Sequence, residues 1–125
     1  MKQLMNKIEE AVEKLTKDDI GKSLKEIFPE EMFDREVFHK IMEDDSLAQN
    51  LSNYGEELFF NIWKDLFENI KLEGDIHFKV SFEISGAKHT AMSAYIDNEI
   101  SELDQVIIFT KLDELEQNML GENVA

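Results

Sequence analysis

Apolar side chains crowd most densely between residues 54 and 72, in YGEELFFNIWKDLFENIKL. Leu58, Phe59, Phe60, Ile62, Trp63, Leu66, Phe67 and Ile70 spread over about 200° of a helical wheel at 100° per residue. Glu57, Asn61, Lys64, Asp65, Glu68 and Lys71 fill the remaining arc. A helix with so wide an apolar arc must be covered on two sides, so the pattern predicts a long central helix. Asn53 is its expected N-cap, and Gly74 stands just past its end, where a left-handed residue is favoured.

Upstream, the period stays close to 3.6. Leu4, Met5, Ile8, Ala11, Val12 and Leu15 predict an amphipathic helix from about residue 2 to 15. Thr16 with Asp19 resembles a capping box, opening a short helix with Ile20, Leu24, Ile27 and Phe28 inward. Pro29 ends it. Asp34 is placed to cap a third helix through Val37, Phe38, Ile41 and Met42, which Glu43-Asp44-Asp45-Ser46 terminates, since acids oppose the dipole at a C-terminus. A helical turn through Leu47 and Leu51 follows.

After Gly74 the period changes to two. Ile76, Phe78, Val80, Phe82 and Ile84 alternate with His77, Lys79, Ser81, Glu83 and Ser85, the pattern of a strand with one buried face. Ser85-Gly86-Ala87-Lys88 then reads as a turn and residues 89–96 as a second strand. An odd-length loop sets Met92 opposite Phe82 and Ile96 opposite Phe78. That register buries more apolar surface than a two-residue loop, which sets Ile84 opposite His89. Asp97 to Asp104 is an acidic loop in which Ser101 and Asp104 can cap a last helix over 103–120. Val106-Ile107-Ile108-Phe109-Thr110 has strand propensity and leaves a third strand open. The fold class expected is α+β: a helical N-terminal portion, a long central helix, an antiparallel β-hairpin and a C-terminal helix or third strand, in one domain over residues 1–125.

Charge narrows the function. Thirteen basic against 28 acidic residues give −15, distributed as +1 over residues 1–25 and −16 over the rest. Phosphates and anionic lipid headgroups repel such a surface, so direct nucleic-acid or membrane binding is not expected, and a basic protein partner is. The chain has no cysteine, which excludes disulfides and thiolate metal sites and fits a reducing compartment. With a charged N-terminal stretch and no membrane-length apolar run, a cytoplasmic protein is expected.

Catalytic chemistry finds little support. Glu36 and His39 share a helical face at i, i+3, the spacing used in di-iron bundles, but only one copy is present. His77 lies among the polar positions of the expected strand, and His89 belongs to no motif. No HExxH, phosphate loop or GxSxG occurs, so no enzyme, cofactor or metal site is expected. Two acidic clusters at element junctions are the candidate partner-binding residues: Asp97, Glu99, Glu102 and Asp104, and Glu43, Asp44 and Asp45. Acidic rims of this kind steer association with basic surfaces.

The C-terminal half carries a likeness. An aromatic helix passes through Glu73-Gly74 into FxVSFEISG, Phe78 to Gly86, then to Tyr95-Ile96-Asp97 and an amphipathic helix. Over residues 54–115 this order resembles the YezG-like immunity proteins, which neutralise secreted bacterial nuclease toxins. The resemblance implies an immunity protein that binds a cognate basic toxin domain and occludes its active site in a stoichiometric complex. Other classes fit the acidity as well: a secretion chaperone with an exposed apolar patch, or an acidic nucleic-acid mimic that blocks a restriction or CRISPR effector. The oligomeric state is left open by the sequence.

Overall fold

The structure is a computed structural model that describes residues 17–27 and 30–120. The helix expected over 2–15, its neighbour Thr16, Phe28, Pro29 and the tail from 121 lie outside the described residues. Within them are five α-helices: α1 (Leu24–Ile27), α2 (Arg35–Glu43), α3 (Asn53–Asn69), α4 (Ile76–Ile96) and α5 (Glu102–Leu120). Short 3-10 turns at Lys17–Asp19, Glu30–Phe33 and Ala48–Asn50 join the earlier ones. Extended pairing among the described residues amounts to one bridge, Ser23 with Lys71. Leu24 N–H donates to the Ile70 carbonyl at 3.0 Å and Leu72 N–H to that of Lys22 at 2.9 Å, tying the start of α1 to the chain leaving α3.

The expected hairpin is therefore corrected. Residues 76–96 form one 21-residue helix, so the fold is helical and not α+β, and 106–110 lie inside α5. A run that alternates with period two also repeats with period four, and here the four wins. Ile76, Val80 and Ile84 form one i, i+4 stripe, continued inward by Ala87, Ala91 and Ala94. Phe78 and Phe82 form a second stripe that points outward, 66% and 65% exposed, with their rings stacked 6.1 Å apart. The strand reading required one apolar face; the helix carries two. Asp75 caps it, accepting from Phe78 N–H at 3.2 Å, and Gly74 supplies the turn before the cap at φ +63°. Gly86, read as a turn residue, sits in mid-helix.

Elsewhere the pattern and the fold agree. Asp34 caps α2 by accepting from the N–H groups of Glu36 and Val37, and Phe38, Ile41 and Met42 are buried. The central helix is capped one residue earlier than expected, at Ser52, whose hydroxyl accepts from Gly55 N–H at 3.0 Å. Its Phe59, Phe60, Ile62, Trp63, Leu66 and Phe67 are all buried. Trp63 lies 4.2 Å from Phe67 between ring centroids, and Phe38 of α2 packs on Phe59, Phe60 and Trp63. The Trp63 indole N–H finds no acceptor in that core. Helices α4 and α5 form an antiparallel hairpin. The alanine stripe of α4 lets α5 approach closely with Ile108, Leu112 and Leu115 in the same core. Ser81 bonds Glu116 and Lys88 pairs with Asp113 across the outer seam. No described helix is long and apolar enough to cross a membrane.

Candidate partner-binding surface

The two acidic junctions each divide into carboxylates that turn inward and carboxylates that stay in solvent. At the end of α2, Asp45 turns in. Its side chain is 8% exposed, one oxygen receives the Lys111 ammonium at 2.7 Å, and the other accepts from the Leu47 and Ala48 N–H groups at 3.0 Å. Lys111, on α5, is itself 5% exposed and also reaches Glu114 at 3.2 Å. Burial works against the Asp45 charge, but the bonds from Lys111 and Ala48 outweigh it and hold the carboxyl well below the usual aspartate range. Glu43 and Asp44 remain exposed. Asp44 closes α2, and Glu43 meets His39 Nε2 at 2.9 Å.

The other face of that imidazole meets Glu56 of α3, Nδ1 to Oε1, at 2.7 Å. Held between two carboxylates, chiefly by Glu56, His39 keeps its proton above the usual histidine range. The Glu36–His39 pairing suggested by spacing is replaced by these two contacts. No group of three or more His, Asp or Glu side chains among the described residues is arranged to hold a metal ion.

At the second junction Asp104 turns in. Its Oδ1 accepts from Ser52 N–H at 2.8 Å, and its Oδ2 from the Ser52 hydroxyl at 2.6 Å and from Ser101 N–H at 3.2 Å. Asp104 N–H donates in return to Ser101 Oγ at 3.0 Å, which completes the expected capping box. One carboxylate thus joins the N-termini of α3 and α5, where helix dipoles favour negative charge. Burial opposes ionisation here as well, yet the serine donors prevail and lower its pKa. Gly55 makes room for this arrangement, since a Cβ there would stand 2.6 Å from Asp104 Cγ.

Asp97, Glu99 and Glu102 stay in solvent on the same turn. The turn is held from behind. Asp97 closes α4, and Asn98 adopts the left-handed conformation at φ +61°. Asn98 N–H then bonds the Tyr95 carbonyl at 3.0 Å and Glu99 N–H that of Ala94 at 2.9 Å, the double bond of a Schellman motif. Ile100 is buried behind it at 7% exposure. This turn and the first turns of α3 enclose an open groove of about 450 Å³ lined by Tyr54, Glu57, Leu58, Asn61, Asn98, Glu99 and Ile100. Tyr54 is 74% exposed at its edge.

Of the seven sequence candidates, the structure places Glu99 in the lining of this groove, leaves Asp97 and Glu102 exposed on the same turn and Glu43 and Asp44 on the α2 end, and turns Asp45 and Asp104 inside. Sequence reasoning missed Tyr54 and the groove. The signal available was an aromatic residue in the first turn of a helix whose apolar arc does not need it. Comparison with family models, with characterised proteins and with solved structures gave no match to this chain.

Proposed function

We propose that the chain is a stoichiometric binding protein that neutralises a basic partner, most specifically an immunity protein that occludes the active site of a bacterial toxin domain of the nuclease class. The observation that carries this reading is the groove at the α4–α5 turn, where an exposed tyrosine stands beside Glu57, Glu99 and the neighbouring Asp97 and Glu102. Exposed Tyr supplies a large amphipathic contact with few rotatable bonds, and such residues dominate binding energy at interfaces. The acids around it attract Lys and Arg over a distance and raise the encounter rate. Because the Schellman turn and the capping box fix the backbone, few degrees of freedom remain to be lost on binding. The YezG-like resemblance spans a region built here from helices, so the reading rests on this surface and on the net charge.

The test is a titration of a toxin domain encoded beside this chain. Its nuclease activity should fall linearly to zero at one equivalent of this protein. Tyr54→Ala should weaken the complex by about 2 kcal/mol, as an anchoring aromatic does. Activity that persists at a large excess of this protein rejects the proposal. A second reading, a chaperone for an apolar segment of a secreted protein, is favoured by one observation, the exposed Phe78, Phe82 and Ile96 on α4.

A further inference from the structure

The outer face of α4 is apolar at both ends, uncharged throughout and covered by no described part of the chain. Phe78, Phe82 and Ile96 are 66%, 65% and 68% exposed, and Ser85, His89 and part of Met92 share their face. The neighbouring lysines are occupied within the chain: Lys79 pairs with Glu73 and Lys88 with Asp113. In a chain of charge −15, a helix face with no formal charge is where a second, equally acidic molecule meets the least like charge.

We propose that this face joins two copies of the chain, with their α4 helices antiparallel about a two-fold axis close to Gly86 and Ala87. The order of the side chains supports this occupant. Phe78 and Ile96, Phe82 and Met92, and Ser85 and His89 lie at equal distances on either side of position 87. Turning the helix end for end therefore sets each residue against its counterpart, as an isologous contact requires. Large apolar side chains meet at the two ends, and the polar Ser85 and His89 meet at the crossing.

Gly86 supplies an independent observation. It is exposed in the middle of a 21-residue helix, and nothing lies within 4 Å of the Cβ it lacks. A glycine there costs the helix stability, and nothing packed on it within the chain requires it. Gly86 flanks the paired face, and the missing side chain there leaves room for the partner helix. The six face residues, counted on both copies, offer on the order of 1,000 Å² of buried surface, the lower end of what a specific pairing needs. Phe82 and Gly86 are not among the residues that line the groove beside Tyr54, so variants at these positions test the pairing apart from the proposed function.

Sedimentation of the full chain over a concentration series tests the pairing. The mass should rise from 14.6 kDa towards twice that value within roughly the micromolar range of a minimal interface. Phe82→Glu should weaken association by about a hundredfold or more, because it buries a charge at both ends of the contact. Gly86→Ala should act in opposite directions, raising the melting temperature of the dilute monomer while weakening the dimer about tenfold. Since the chain has no cysteine, cross-linking reads the geometry directly. Gly86→Cys should be joined across the dimer by a short thiol-specific bifunctional cross-linker. Phe78→Cys should not, because its two copies would lie about 27 Å apart along the helices. A wild type that stays monomeric, including one that retains an apolar peptide on this face, overturns the proposal. So does a dimer unaffected by Phe82→Glu, or cross-linking through position 78 in place of 86.

Discussion

The acidic junction after α2 and the acidic junction after α4 look alike in sequence, a few carboxylates each between two helices, yet they neutralise their inward carboxylates by different means. Asp45 meets a buried ammonium, Lys111, sixty-six positions along the chain. Among the described residues Asp104 meets no cation; serine donors at two helix N-termini hold it. The outward carboxylates differ as well. Glu43 is engaged with His39, whereas Asp97, Glu99 and Glu102 stay exposed on a turn whose Glu99 lines an open groove with an exposed tyrosine. An acidic cluster is thus a mixture of structural and available charges. Which carboxylate plays which part depends on distant donors that local sequence does not show.

Lys111 provides the largest break in this comparison. Lys111→Ala removes the ammonium that faces the buried Asp45 carboxylate and should cost up to about 3–5 kcal/mol in denaturant unfolding. A loss under about 1 kcal/mol would mean that solvent reaches Asp45 and that the pair is a surface one. Gly55→Ala comes next. Its Cβ would press on the Asp104 carboxylate, and the expected cost is about 1–3 kcal/mol. In an Asp104→Ala background the same change should cost much less, so the two effects should not add. Additive costs would remove Asp104 from contact with position 55.

Acid should act on both junctions together. Asp45 and Asp104 have folded pKa values below the ordinary 3.8. Their contribution is therefore complete above that pH and is lost as pH falls through the lower folded values. Stability measured against pH should fall steeply below about 4, and Asp104→Asn should flatten part of that slope. A slope unchanged in the variant would assign the acid sensitivity to other groups.

Much of the helical framework was legible. The Asp34 cap, the covered central helix and the Ser101–Asp104 box follow from signals within a few residues of each other, while residues 106–110, left open between helix and strand by their propensity, lie in a helix. The region 76–96 was misread because Ile76, Phe78, Val80, Phe82 and Ile84 satisfy two periods at once, and only the exposure of Phe78 and Phe82 separates them. Gly86 added to the error, since a glycine beside a serine usually marks a turn. At the junctions, all the acids could be named, but Asp45 and Asp104 could not be told from their neighbours. Their partners Lys111 and Ser52 are remote in sequence, and the groove exists only once α3 meets the α4–α5 turn.

The smallest expected effect on folding belongs to the outward acids of that turn, and it carries the central claim. Asp97→Asn, Glu99→Gln and Glu102→Gln together should leave stability within about 0.5 kcal/mol of the parent. The decisive measurement is the association rate of this triple variant and of the parent with the neighbouring toxin domain at low and high salt. Association of the variant should be about tenfold slower or more at low salt, and the gap should narrow as salt screens the attraction. Equal rates at low salt would contradict the claim that this turn meets the partner, and would direct attention to Glu43 and Asp44 on the other junction.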